Sequence, residues 1–252
     1  MRIVEILFSP TGGTARAARI LAKALGPIAL TVDLTVAVAD FSSIALRSDD
    51  LCIIAVPAYG GRMPAVAAHR LAELNGCSAR AVLMAVYGNR AFDDTLLEME
   101  DVASAAGFLP VAGVGAIAEH SLIRRYGANR PDSRDDADLT AFACDILASL
   151  AKDKHELILH GNRPFKVFGG VPAKPYATEL CKDCGLCAAR CPVKAIDAAA
   201  PHQTNTEQCI SCMRCVSICP SQARQIDPGI AAILTEKLAA PCAQRKENQL
   251  FL

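Results

Sequence analysis

From its first residue to about residue 150 the chain alternates two patterns. Short runs rich in Ile, Val and Leu read as five strands: "RIVEILF" (2–8), "IALTVDL" (28–34), "LCIIAV" (51–56), "RAVLMAVY" (80–87) and "LPVAGVGAI" (109–117). Each is apolar enough to be buried on both faces. Between them, apolar residues recur at helical spacing. Ala17, Ile20, Leu21, Ala24 and Leu25 form one stripe, and Leu139, Phe142, Ala143, Ile146, Leu147 and Leu150 form another. Pro64 suits the first position of a helix after the third strand. The alternation predicts right-handed βαβ units, and so an α/β fold with a doubly wound, five-stranded parallel sheet covered by helices on both faces.

The pattern lapses at 151–178. "HGNRPFKVFGGVPAKPYA" (160–177) holds three prolines and three glycines without a sustained period, which predicts an extended linker. Residue 179 opens a cysteine-dense segment with an internal repeat: "CKDCGLCAARCPVKAI" (181–196) recurs 28 residues later as "CISCMRCVSICPSQAR" (209–224). A repeat this short is a duplicated metal-binding unit and not a solenoid. The chain therefore divides into 1–150, the linker 151–178, a second small domain at 179–228, and 229–252, a C-terminal helix from Gly229 to Ala240 with a tail.

Charge and targeting signals narrow the class. Formal net charge is +0, which argues against nucleic acid or an anionic membrane as an obligatory partner. The one basic bias, five Lys/Arg against two acids in 151–175, reads as a solvated linker. "MRIVEILFSP" has a single basic residue and is interrupted by Glu5, unlike a signal peptide, and no window approaches the roughly 18 apolar residues of a membrane span. A cytoplasmic location is the expectation, and there the 12 cysteines stay reduced.

Each cysteine repeat reads C-x2-C-x2-C-x3-C-P. Three thiols on one tight loop can reach one face of a cubane, whereas zinc sites pair two C-x2-C knuckles per ion. The segment 181–224 resembles a bacterial-type ferredoxin carrying two 4Fe–4S clusters. That resemblance implies crossed ligand sets, because in two-cluster ferredoxins the fourth cysteine serves the other cluster. Cys181, Cys184 and Cys187 would share a cluster with Cys219, and Cys209, Cys212 and Cys215 one with Cys191. Of the remaining cysteines, Cys52 is a core residue in a strand, Cys144 lies off its helix stripe, Cys77 sits in a loop and Cys242 is spare.

"SPTGGT" (9–14) follows the first strand. It lacks the Lys of a Walker loop and the G-x-G-x-x-G of a dinucleotide fingerprint. What remains is a turn of backbone N–H groups and hydroxyls at a helix start, suited to a phosphate monoester, with an ordinary βα turn as the alternative. Ser9, Thr11, Gly12 and Thr14 match the [ST]-x-T-G-x-T pattern by which flavodoxins hold the phosphate of FMN, and Gly13 and Ala15 complete the loop. The resemblance extends to "PAYGGRMP" (57–64) and "YGNRAFDD" (87–94), which follow the strands beside the switch point of the sheet. In flavodoxins these two loops sandwich the flavin ring. This implies Tyr59 against one face and Phe92 against the other, with Tyr87, Gly88 and Asn89 beside them; the alternative for Phe92 is a helix-start hydrophobe. Gly60–Gly61 could supply the peptide that flips on flavin reduction in flavodoxins, or be a tight turn. After the fifth strand, His120 and Arg130 are placed to reach the flavin edge, or His120 to cap a loop.

Nearly all of 1–226, including "PHQTN" (201–205), resembles a family of flavodoxin–ferredoxin fusion proteins. The implied function is electron transport between two 4Fe–4S clusters, FMN and a redox partner protein, either a ferredoxin-type donor or an acceptor enzyme. The alternative is an FMN-dependent reductase of a quinone or flavin fed by its own clusters, with His120, Tyr126 or Arg130 at the substrate. A homodimer is compatible with either.

Overall fold

The computed structural model describes residues 1–152 and 157–252. The five expected strands are β1 (Arg2–Leu7), β2 (Ile28–Asp33), β3 (Asp50–Pro57), β4 (Arg80–Tyr87) and β5 (Leu109–Ile117). They pair in parallel in the order β2-β1-β3-β4-β5, the flavodoxin-like order of a doubly wound sheet. The helices that follow β1, β3, β4 and β5 are α1 (Gly13–Leu25), α2 (Ala65–Ala72), α3 (Thr95–Ala105) and α4 (Ser133–Leu150).

The continuous apolar runs exist because both faces of the sheet are covered. On β3, Leu51, Ile53 and Ala55 pack under α1 and α4, while Cys52, Ile54 and Val56 pack under α2 and α3. Glu5 lies fully buried in β1. It is tolerated there because Arg19 Nε (2.7 Å) and Thr31 Oγ1 (2.9 Å) donate to its carboxylate.

The buried face of α1 is rotated from the expected stripe. Thr14, Ala17, Ala18, Leu21, Ala22 and Leu25 face inward, and Ala24 is exposed. In α4, Leu147 is exposed and Asp135 is buried beside Leu139, Ala143 and Ile146. Pro64 caps α2 and stands just before its first residue.

Beyond the five parallel strands, the end of the chain supplies a sixth. After α7 (Pro228–Ala239), β8 (Gln249–Phe251) lies antiparallel on β5, with Gly113 opposite Phe251. Asn248 locks it there: its Oδ1 accepts from Ile117 N (3.1 Å), and its Nδ2 donates to Asp135 (2.9 Å) and Asp138 (3.0 Å).

Where the sequence predicts a solvated linker, residues 157–175 form a strap docked on the α/β lobe; residues 153–156 of that stretch lie outside the described residues. Leu159 is buried in the α2/α3 core. Asp94 accepts from Asn162 N (2.8 Å), Asn162 Nδ2 (3.1 Å) and Lys166 N (2.6 Å), and Arg163 pairs with Asp101. Composition gave no sign of this docking because its partners, Asp93, Asp94 and Asp101, lie more than 60 residues away in sequence.

The cysteine lobe begins at Tyr176, ahead of the expected residue 179. It contains β6 (Tyr176–Ala177), α5 (Leu186–Ala189), α6 (Arg214–Ile218) and β7 (Arg224–Gln225), with β6 antiparallel to β7. The sequence repeat is also a backbone repeat. Asp183 and Ser211, Gly185 and Met213, and Lys194 and Gln222, each pair 28 residues apart, share positive φ. Among the described residues, no helix is long and apolar enough to cross a membrane.

Candidate functional site

The two cysteine repeats exchange their fourth member in space. One small cavity is lined by Cys181, Cys184 and Cys187 together with Cys219, and a second by Cys209, Cys212 and Cys215 together with Cys191. The thiols of each set surround a space instead of converging on a point: among the described residues, no three His, Cys, Asp or Glu side chains are placed to hold a single ion. Backbone N–H groups point at the sulfurs in matching positions. Ala195 N donates to Cys191 Sγ (3.2 Å) and Ala223 N to Cys219 Sγ (3.3 Å). Both sets thus offer four soft ligands, a cavity and N–H···S bonds, the donor chemistry of an iron–sulfur cluster.

The two sets differ in environment. Cys191 and Cys212 are buried, whereas Cys184 is exposed, so we call the sets inner and outer. Burial, reinforced by the neighbouring thiols, pushes the Cys212 and Cys215 thiols up to about 12. Burial also acts on Cys219, but hydrogen bonds from the Ser221 side chain and from backbone N–H groups bring its thiol below the ordinary value.

A third and larger cavity, about 440 Å³, opens at the C-terminal ends of β1, β3, β4 and β5, within the usual size range of cofactor sites. Seven predicted residues line it: Thr11, Gly13, Thr14, Tyr59, Gly60, Tyr87 and Gly88. Gly12 makes the turn into α1 with φ +89, a left-handed conformation that glycine adopts without strain. The N–H groups that follow open the helix and have no intrahelical acceptor. Ser9 sits behind the loop: its Oγ accepts from Ala15 N (2.9 Å), and its own N–H donates to Thr35 Oγ1 (2.8 Å). Backbone donors, the Thr14 hydroxyl and the start of a 13-residue helix together fit a phosphate.

Four predicted residues are turned to other tasks. Phe92 does not reach the cavity. It is buried in the core, its ring edge-on to Tyr87 and Phe251 and closing the space left by the missing side chain of Gly115. Asn89 clamps the C-terminal tail, donating to the carbonyls of Cys242 (3.0 Å) and Gln244 (2.9 Å) and accepting from Lys246 N (2.9 Å). Gly61 accepts from Asp94 N (3.0 Å). Ala15 is held by Ser9.

The groups considered for a substrate are committed in the same way. The Tyr126 hydroxyl donates to Thr235 O (2.7 Å), and Arg130 is buried against Asp135 and Lys246 O. His120 does line the cavity. Its Nδ1 accepts from Leu122 N (3.2 Å) and Ile123 N (3.1 Å), and burial, with help from Arg90, lowers its pKa to about 4, so the ring is neutral near pH 7.

Several lining residues escape a sequence reading. Phe168 of the strap packs its ring on the Cα of Gly60 and faces the cavity. Leu234 and Leu238 of α7 cover another side. The most consequential is Ile210, which lines both the large cavity and the inner cysteine cavity. Ser211 lines the large cavity while its neighbour Cys212 lines the inner one, and burial together with the nearby Cys212 holds the Tyr59 hydroxyl well above its ordinary pKa. One signal was readable. The first repeat has Lys182–Asp183 where the second has Ile210–Ser211, so the second loop is the one fit to be covered.

Residues 175–220 match the 4Fe-4S dicluster domain family, and this part of the chain is a ferredoxin-type lobe. No curated protein matches the chain. Among solved structures the chain is similar to the two-electron reduced flavodoxin of Megasphaera elsdenii, with 16% identity, 55% of this chain and 98% of that one covered, and a TM-score of 0.38. It is similar also to a flavodoxin from the domain Archaea, with 10% identity, 60% and 100% covered, and a TM-score of 0.42. The flavodiiron core Flv1 of Synechocystis sp. PCC6803 shows 14% identity, 61% and 37% covered, and a TM-score of 0.43. The fold assignment of the α/β lobe rests on its own strand order.

Proposed function

We propose that the chain is an electron relay, with a 4Fe–4S cluster held by each four-cysteine set and FMN held in the large cavity. The observation that carries this reading is the position of Ile210, a shared wall between the inner cysteine cavity and the large cavity. When bound, clusters supply single electrons and a flavin accepts one or two.

The chain's own residues hold and insulate these groups. The segment Thr11–Thr14, backed by Ser9, would bind the phosphate through backbone N–H groups and the Thr14 hydroxyl. Tyr59, Tyr87 and Phe168 supply aromatic surface to the ring, and α7 and the strap exclude water from it. The Cys209–Cys212 loop, through Ile210, would hold a cluster in the inner cavity and a flavin in the large cavity on the two sides of one wall, within a single chain. The outer set, with Cys184 exposed, faces solvent and a partner protein that carries its own one-electron centre, a ferredoxin-type donor or an acceptor enzyme. The compartment is one that keeps thiols reduced, the cytoplasm.

The test is anaerobic purification with iron, sulfide and flavin assays, followed by mixing with reduced ferredoxin while the visible absorbance is followed. Cluster bleaching followed by flavin bleaching is expected. Rapid bleaching by NADH or NADPH with reduced ferredoxin inert, or protein unable to take up iron and flavin, overturns the relay.

A further inference from the structure

The two cysteine sets are related by the repeat, but two pairs of equivalent positions exchange an apolar side chain for an arginine: Leu186 lines the outer cavity where Arg214 lines the inner one, and Ile196 lines the inner cavity where Arg224 lines the outer one. Ile196 of the first repeat is buried and lines the inner cavity, whereas Arg224, 28 residues later, is buried to 3% exposure and lines the outer cavity. An arginine at such depth needs a counter-charge. Among the described residues no ion pair joins Arg224 to a carboxylate: its Nη1 donates to Thr204 Oγ1 (2.6 Å) and its Nη2 to the carbonyl of Pro201. Nη2 also stands 3.6 Å from Cys187 Sγ, and the buried Nε has no partner. A fully buried guanidinium, incompletely satisfied and aimed at a ligand sulfur, is explained if the missing counter-charge is the outer cluster and its thiolates.

We propose that Arg224 sets the reduction potential of the outer cluster, raising it by donating to Cys187 Sγ. A cluster bound by four thiolates is a net anion that gains one more negative charge on reduction, so a fixed cation and an N–H···S bond stabilise the reduced form more than the oxidised one. At the inner set the equivalent position is the aliphatic Ile196, and the arginine that lines that cavity, Arg214, donates from Nη1 to the carbonyl of Pro10 (3.3 Å). What sets Arg224 apart is its direct approach to a ligand sulfur, Cys187 Sγ, at the outer set. This rests on the reading that both cysteine sets hold clusters.

The experiment compares the wild-type chain with Arg224→Gln and Arg224→Lys, all purified anaerobically with iron and sulfide counted. Each is titrated potentiometrically with EPR detection, and Cys184→Ser marks which signal belongs to the outer cluster. Arg224→Gln should shift the outer reduction equilibrium about tenfold toward the oxidised form, about 59 mV for one electron. Arg224→Lys, which keeps the charge but not the fork, should shift it less, and in Arg224→Gln the inner cluster should shift less than the outer one. An unmoved outer potential, or equal shifts of both clusters, overturns the proposal. Because Arg224 also holds Pro201 and Thr204, a second measurement uses wild-type protein labelled with ¹⁵N-arginine. Pulsed EPR of the reduced chain should show an arginine nitrogen coupled to the outer cluster, and its absence refutes the contact even if the variants fail to fold. Wild-type protein that takes up no iron defeats the cluster reading itself, and is told apart from these outcomes by the iron count.

Discussion

Arg70 of the α/β lobe donates from Nη2 to the carbonyl of Pro192 at 2.5 Å, and Pro192 directly follows Cys191. Through Nη1 the same guanidinium holds the carbonyl of Leu34 at 2.7 Å. One buried side chain thus ties the inner cysteine set to the loop after β2. Arg70→Leu leaves both carbonyls unpaired and should cost about 2–4 kcal/mol. The loss should be visible as a lower melting temperature and as faster proteolysis of the strap between the lobes; an unchanged melting temperature would remove Arg70 from the interface.

Cys191→Ala should abolish the inner cluster while leaving the outer one, although Cys191 belongs to the first repeat. Iron should fall to about half, consistent with one of two clusters lost. Loss of the outer EPR signal instead would mean that each repeat serves its own cluster.

Thr14 is buried in the first turn of α1 and lines the large cavity. Thr14→Val keeps its shape and removes the hydroxyl, and should weaken FMN binding by about 1–3 kcal/mol in a flavin titration. Unchanged affinity would detach the phosphate from this turn.

Phe168 and Phe92 should separate cleanly. Phe92→Ala opens a cavity in the core and should destabilise the flavin-free protein by about 3–5 kcal/mol. Phe168→Ala trims a half-exposed side chain, and should lower flavin affinity with little change in the melting temperature of the flavin-free protein. The opposite pattern would restore Phe92 to the flavin.

His120 gives a pH signature. Its folded pKa of about 4 lies below the ordinary 6.5, so as pH falls the unfolded chain takes the proton first. The stability that His120 contributes is complete above about pH 6.5, declines between about 6.5 and 4, and is flat below, a total of roughly 3 kcal/mol at most. Asp50 is held below its ordinary value by its hydrogen bond from Arg2, so its contribution is lost only at lower pH. His120→Gln should remove the slope between pH 6.5 and 4 in denaturant titrations. A variant with the wild-type slope would assign it to another group.

The sequence by itself determined every feature that local chemistry encodes. Five strands declared themselves because a parallel strand buried on both faces must be apolar throughout. The cysteine lobe declared itself because ligand spacing is written in consecutive residues, and Thr11, Thr14, Tyr59 and Tyr87 came to the cavity because each lies at or just beyond the C-terminal end of a strand. What only the tertiary structure decided is which side chain faces which neighbour across long separations. Phe92 went to the core because Gly115 and Phe251 leave it a fitted space there. Phe168 reached the cavity because Asp94 anchors the strap through backbone N–H groups, which no side-chain pattern advertises. The strand Gln249–Phe251 is too short to show a period, and its place depends on Asn248 meeting Ile117 and Asp135. Ile210 was visible as an apolar departure from Lys182 in the first repeat, but that it forms the wall between two cavities depends on how the lobes pack, and packing is set by contacts that sequence order does not contain.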